Sequence, residues 1–155
     1  MKVMLAACIF SVFFASVSGC APKKTSEIRP TVLADLSPSI VQIDQIEAIQ
    51  PPSGKARVKV LAQGKNAFLA QLWIAPGASV PLHRDVSEEY LYVLEGGGKL
   101  TINGEVRQIS VGSAVFMPAK AQVSFANGNA PTVVLQVFAD PASARKYDVW
   151  QPVSK

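Results

Sequence analysis

One histidine and several carboxylates lie close together in the segment PLHRDVSEEYLYVLEG, residues 81–96. His83 is the only histidine in the chain, and Asp85 and Glu89 follow it within six residues. Imidazole and carboxylate groups are side chains that bind divalent metals and transfer protons near neutral pH. The segment therefore predicts either a metal site or a hydrogen-bonded polar cluster, depending on how the chain positions these groups.

From Ser39 onward the sequence consists of short apolar runs typical of β-strands, several of which alternate apolar and polar residues. Asn103-Gly104 and Asn127-Gly128 predict tight hairpin turns, and DPASARKYDVW predicts a short helical turn. Many short strands at regular spacing predict an all-β sandwich or barrel. The runs are SIVQIDQI, ARVKVLA, AFLAQLWI, EYLYVLE, KLTIN, SAVFMP, QVSFAN and TVVLQVFA.

The spacing of the polar residues places them on one face of this sheet structure. His83 and Asp85 are two residues apart in an extended segment, so their side chains point the same way. Glu89 begins the next predicted strand and can point back at that face. Leu91 and Val93 share the parity of Glu89, so we expect them to line the interior of the barrel.

Residues 77–96 resemble the first motif of the cupin superfamily. That motif is a glycine, five residues, His-x-His, three or four residues, a glutamate, six residues and a glycine. Gly77, His83, Glu89 and Gly96 match it in type and spacing, and Asp85 stands where the second histidine is usual.

Residues 112–127 resemble the second cupin motif, which is a glycine, five residues, Pro-x-Gly, two residues, a histidine, three residues and an asparagine. Gly112, Pro118 and Asn127 match. Lys120 replaces the turn glycine, and since lysine tolerates a positive φ poorly, the turn is expected to change shape. Val123 replaces the histidine.

The resemblance implies a small double-stranded β-helix, or jelly-roll barrel, of the single-domain cupin type-2 kind. In that family the side chains at positions 83, 85, 89 and 123 converge on one divalent metal. Val123 has no lone pair to donate, so at most His83, Asp85 and Glu89 remain as metal ligands. A set with two carboxylates favours Mn or Fe over Zn, and the cofactor is predicted to be none or a weakly held divalent metal.

Three functions follow, and the sequence settles no catalytic residue for any of them. The first is a small-ligand-binding or accessory cupin with an incomplete metal site, its pocket lined by Leu91, Val93 and Val123. In it His83 and either Arg84 or Lys120 are the partners of the carboxylates, and because neighbouring carboxylates raise one another's pKa, Glu89 close to Asp85 is the candidate for acid-base chemistry. The alternative is a metal-dependent enzyme of the dioxygenase, isomerase or lyase type that uses His83, Asp85 and Glu89. The third is a purely structural interaction module with Tyr90 and Tyr92 in its interface.

The first twenty residues have the layout of a secretory signal: an early cation, an apolar run of about fifteen residues, and small residues. The run is shorter than the roughly 20 residues that span a bilayer. Val17–Cys20 resembles the lipobox of bacterial lipoproteins, in which the cysteine is lipidated. This predicts a signal peptide at 1–19, lipidated Cys20 with a tether at 20–38, and a barrel domain at 39–155 with its motif core at 77–127.

Composition restricts the partners. The net charge is +4, with the basic residues scattered along the chain, whereas nucleic-acid binding needs a concentrated basic surface. The predicted partners are a membrane, through the lipid on Cys20, and a small molecule. The protein is expected to be exported and membrane-anchored, at the outer membrane or periplasmic face in a Gram-negative cell. Tyr90 and Tyr92 point outward from the barrel, which predicts that the SIVQIDQI segment or the partner in a homodimer covers them.

Overall fold

A computed structural model describes residues 37–153, which all belong to the second of the two units into which the chain divides, Val32–Lys155. The predicted signal peptide at 1–19, the lipidation site Cys20 and nearly all of the tether lie outside the described residues. Within 37–153, no helix is long and apolar enough to cross a membrane.

The described chain is built of short strands with a 3-10 helix near each end. The 3-10 helices are Ile43–Gln45 and Pro141–Tyr147. The strands are β1 (Ile49–Gln50), β2 (Ala56–Gln63), β3 (Phe68–Ile74), β4 (Ser79–His83), β5 (Glu89–Glu95), β6 (Gly97–Ile102), β7 (Glu105–Ser110), β8 (Ala114–Met117), β9 (Val123–Asn127), β10 (Thr132–Phe138) and β11 (Gln151–Pro152).

The strands form two antiparallel sheets. The larger has the order β11-β1-β2-β3-β10-β5-β8, and the smaller has the order β4-β9-β6-β7. Apolar side chains from both sheets pack into one buried cluster, because alternate residues of each strand point to the same face. This cluster includes Val93 and Val134 of the larger sheet and Leu100 and Phe125 of the smaller one. The predicted all-β jelly-roll architecture is confirmed.

A second buried cluster holds the C-terminal 3-10 helix against the larger sheet. The rings of Phe138 and Tyr147 each lie 6.0 Å from the ring of Phe68. The helix begins at Pro141, and the side chain of Asp140 caps it by accepting a hydrogen bond of 2.8 Å from the backbone N–H of Ala142. The predicted helical turn in this segment is confirmed. Packing of the helix against the larger sheet fixes the position of its exposed residues, which include Lys146.

One of the two predicted Asn-Gly hairpins forms. Asn103 and Gly104 have φ values of 50° and 87° and join β6 to β7, as a two-residue turn of this kind requires. The Asn127-Gly128 prediction is wrong, because β9 and β10 belong to different sheets. The Asn127 side chain instead bonds to the backbone of the neighbouring loops.

The predicted SIVQIDQI strand is also wrong. Residues 39–46 contain the 3-10 turn Ile43–Gln45, and Ile43 accepts a hydrogen bond of 2.7 Å from Lys59 Nζ of β2. The edge of β2 is instead paired with β1, which leaves this segment no free strand edge there. Tyr90 and Tyr92 are 42% and 47% exposed, so the described chain does not bury them. The predicted homodimer stays a prediction.

The turn at Lys120 keeps the shape that the family's glycine allows. Lys120 has a φ of 64°, so the expected change of shape is wrong. The N–H of Lys120 donates a hydrogen bond of 2.7 Å to the carbonyl of Asp85, and the guanidinium of Arg84 donates to the carbonyl of Lys120. These two bonds hold the backbone in a conformation that lysine adopts at a cost of about 1 kcal/mol.

Candidate functional site

A cavity of about 400 Å³ lies among the inward-facing side chains of the two sheets. Its walls are mainly apolar and include Leu72, Leu91, Leu100, Met117 and Phe125. Polar side chains also line it, and five of them, together with Asp85, are called the polar cluster below. Those five residues are His83, Glu89, Gln136, Lys146 and Tyr147.

One half of the polar cluster is built around Asp85. Lys146 Nζ lies 3.0 Å from Oδ1 and 2.8 Å from Oδ2 of Asp85, and His83 Nε2 lies 3.4 Å from Oδ2. His83 Nδ1 lies 2.9 Å from the carbonyl of Pro81, which can only accept, so Nδ1 carries a hydrogen. When Nε2 is also protonated, the imidazole is positively charged and attracts the Asp85 carboxylate.

The other half of the polar cluster is a chain of hydrogen bonds that ends at Glu89. The hydroxyl of Tyr147 donates to Gln136 Oε1 over 2.7 Å, and Gln136 Nε2 donates to Glu89 Oε1 over 2.6 Å. Glu89 Oε2 has no hydrogen-bond partner within residues 37–153. Because no buried side-chain nitrogen or oxygen in that range lacks a partner, Oε2 is accessible from the cavity.

The two carboxylates of the polar cluster are perturbed in opposite directions. Burial raises the pKa of Glu89, and the hydrogen bond from Gln136 offsets only part of that rise. Burial also acts to raise the pKa of Asp85, but the hydrogen bonds from His83 and Lys146 outweigh it and leave that pKa lowered. The rise expected for the pKa of Glu89 is therefore found, with burial as its main cause and the charge of Asp85 as a smaller one, whereas the pKa of Asp85 is lowered.

The pKa values of two other groups in the polar cluster are raised. The hydrogen bond to Asp85 is the main cause for His83, and burial of the ring opposes it. Burial raises the pKa of the Tyr147 hydroxyl, and the nearby charge of Glu89 adds to the effect. Tyr147 therefore stays neutral at physiological pH and acts as a hydrogen-bond donor.

Of the three predicted pocket residues, Leu91 and Val123 line the cavity and Val93 does not. Leu91 lines the cavity wall, and Val93 is fully buried in the core without lining the cavity. Val123 begins β9 directly opposite His83 on β4 and lines the cavity with 8% of its surface exposed. The register therefore puts a valine side chain beside the imidazole, where the family motif has a second nitrogen ligand.

The arrangement does not fit a divalent metal. Within residues 37–153, no group of three or more His, Cys, Asp or Glu side chains is placed to hold a metal ion. Both oxygens of Asp85 pair with Lys146, and one oxygen of Glu89 accepts from Gln136. Val123 offers a methyl group at the fourth position. Of the three predicted ligands, His83 and Glu89 thus line the cavity, and Asp85 lies beside His83 and Lys146.

Sequence reasoning missed Lys146, Gln136 and Tyr147. Gln136 carried a usable signal, since it is a polar residue among the inward-facing residues at alternate positions of TVVLQVFA, and it is 2% exposed. Lys146 and Tyr147 follow from no local pattern, because their partners lie far away in the sequence. Arg84 and Lys120, the predicted partners of the carboxylates, pair with each other through the Lys120 carbonyl.

Comparison with known proteins supplies the context for this site. The cupin domain family matches residues 72–138. The protein TcmJ of the tetracenomycin polyketide synthase from Streptomyces glaucescens is 30% identical over 108 residues, which cover 68% of each chain. The chain belongs to the cupin superfamily.

Two further comparisons differ in what they cover. An uncharacterised protein from Methanocaldococcus jannaschii is 32% identical over 83 residues, which are 52% of this chain and 66% of that one, just under two thirds. The structure of KdgF from Halomonas sp. has a TM-score of 0.65 at 17% identity and covers 70% of this chain and 99% of that one. At that identity the likeness concerns the cupin fold alone.

Proposed function

We propose that this protein is a lipid-anchored cupin of the cell envelope that binds a small, largely apolar molecule in its barrel. The observation that carries the proposal is the cavity of about 400 Å³ between the two sheets. Its volume falls in the range of about 300–1,000 Å³ that is typical of small-molecule sites, which combine apolar walls with a few polar groups.

The polar cluster suggests which end of the ligand it receives. The Lys146 ammonium lines the cavity and has three hydrogens, of which Asp85 accepts two, and Glu89 Oε2 is accessible in the same cavity. A carbonyl or carboxylate oxygen at one end of an otherwise apolar molecule would accept a hydrogen bond from Lys146, while its body would lie against the apolar walls. The ligand class is therefore an apolar molecule with one oxygen-bearing end.

The metal-dependent enzyme is the less favoured function. That enzyme would need His83, Asp85 and Glu89 to bind one metal together. Instead, Lys146 pairs with the Asp85 carboxylate and Gln136 donates to the Glu89 carboxylate. Ligand binding needs no such rearrangement, because the polar cluster is complete within the chain.

Leu91→Trp is expected to abolish binding of 8-anilinonaphthalene-1-sulfonate, an apolar probe with one anionic end. The indole would fill cavity volume, so we expect the probe's affinity to fall at least about tenfold relative to the wild type. Leu94→Trp is the matched control, because Leu94 lies on the same strand with the opposite parity and is 36% exposed. Fluorescence titration of the folded proteins measures both.

Equal probe binding by the wild type, Leu91→Trp and Leu94→Trp would contradict a ligand site in the barrel. Absence of binding to the wild type at micromolar probe would do the same. Circular dichroism of each variant separates a filled cavity from an unfolded chain.

Cys20→Ser is expected to release the protein from the membrane fraction. The proposal that Cys20 carries the lipid comes from the Val17–Cys20 segment, and several acyl chains anchor a domain far more firmly than one. Labelling with radioactive palmitate in the native host is expected to mark the wild type and the control Cys8→Ser, which changes a residue of the predicted signal. Label that persists in Cys20→Ser would refute the lipidation site.

A further inference from the structure

The ammonium group of Lys146 lies beside the residues that correspond to the metal ligands of the cupin motif. This group pairs with both oxygens of Asp85, the residue at the second ligand position of the cupin motif. We propose that Lys146 is a tethered cation that takes, in this chain, the place of a divalent metal beside His83, Asp85 and Glu89.

Two features of the fold hold the ammonium at this place. Lys146 Nζ lies 4.7 Å from the ring centre of Phe138, and an aromatic ring at this distance stabilises a cation. The next residue, Tyr147, is buried and donates to Gln136. Lys146 therefore projects from a helix whose position is fixed by packing, and its side chain is 36% exposed with the ammonium paired to Asp85.

The loop that carries Asp85 is tied to the same helix. Ser87 and Ser143 are 7% and 6% exposed, and their hydroxyl oxygens lie 2.6 Å apart. The N–H of Ser87 also donates to Ser143 Oγ over 3.1 Å. This buried link joins residues that are 56 positions apart in sequence, and it keeps Asp85 and Lys146 within reach of each other.

Lys146 and Val123 act in the same direction on metal binding. Val123 removes a ligand at the position opposite His83. Lys146 adds a positive charge beside the carboxylates that would bind the metal, and this charge repels a divalent cation. Each residue alone would weaken a metal site, and together they replace the metal with a charge that the chain itself carries.

The test asks whether removing Lys146 makes room for a metal. Val123→His restores the missing nitrogen ligand, and Lys146→Met removes the cation while keeping a similar length. We expect the double variant to bind one Mn(II) per chain at least about tenfold more tightly than Val123→His alone. Val123→His/Arg145→Met is the matched control, because Arg145 is an exposed cation on the same helix, and it is expected to behave like Val123→His.

Mn(II) binding is measured on the full-length chain in detergent, by the electron paramagnetic resonance signal of free Mn(II) and by the shift in thermal unfolding. Equal affinity of Val123→His and the double variant would overturn the proposal, since Lys146 would then not compete with a metal. So would an equal gain in the Arg145→Met control, which would reveal a general charge effect. Stoichiometric Mn(II) on the wild type would overturn it as well.

Lys146→Gln provides a second variant if the methionine variant does not fold, since its amide keeps a hydrogen bond to Asp85 without the charge. If neither variant folds, the wild-type titration decides: one bound Mn(II) per chain refutes the proposal, and none at millimolar Mn(II) supports it. These readouts do not depend on the organic ligand, so a failure of the proposed ligand binding would leave them unchanged.

Discussion

Phe138→Ala is expected to lower the free energy of unfolding by about 4 kcal/mol, because truncating a fully buried ring removes apolar contacts and leaves a cavity. Phe138 has no exposed surface, and its ring packs on Phe68 and beneath the ammonium of Lys146. Loss of the Phe138 ring would therefore remove the aromatic contact beneath Lys146 as well as packing in the core. Urea denaturation followed by circular dichroism measures the change.

Phe116→Ala is the control for this prediction. Phe116 is 52% exposed and contacts Tyr90 with ring centres 5.1 Å apart, so its truncation is expected to lower the free energy of unfolding by about 1 kcal/mol or less. Equal losses in the two variants would mean that the second buried cluster does not stabilise the barrel.

Asn127→Ala is expected to lower the free energy of unfolding by about 3 kcal/mol, through lost hydrogen bonds and the polar groups left without partners. Asn127 Nδ2 lies within hydrogen-bond distance of three backbone carbonyls, and Oδ1 accepts from a hydroxyl and a backbone N–H. The partners are the carbonyls of Ile74 (3.1 Å), Ala75 (2.7 Å) and Ala130 (3.1 Å), Thr132 Oγ1 (2.6 Å) and the N–H of Gly128 (2.9 Å).

Asn129→Ala is the matched control, since Asn129 is an exposed residue of the same loop, and a change of about 0.5 kcal/mol or less is expected. The same thermal or urea unfolding experiment serves both variants. A loss in Asn127→Ala no larger than that in Asn129→Ala would show that the side chain does not hold the two sheets' loops together.

Much of the site's frame could be predicted from the motif spacing. The parity of Glu89 and Leu91 placed both on the inner face, and the register of β4 and β9 puts Val123 beside His83 as the resemblance implied. These predictions succeeded because strand alternation is a local property that does not depend on the rest of the fold.

The partners of the carboxylates could not be predicted in the same way. Lys146 and Asp85 are 61 residues apart, and an isolated lysine in a polar segment is most often solvated. The Asn127-Gly128 error has a related cause, because a dipeptide indicates a local turn, whereas Asn127 Nδ2 also lies within hydrogen-bond distance of the carbonyls of Ile74 and Ala75, which are 53 and 52 residues away in the sequence.

The pairing of β1 with β11 has a consequence for the order in which the protein is assembled. Ile49 pairs with Pro152, so the first and last strands of the described domain lie side by side. Contacts between distant parts of a chain form late, since the loop between them must close first. The lysine that neutralises Asp85 thus reaches its partner only after almost the whole domain has been synthesised, and the site's charge balance is a product of completed folding.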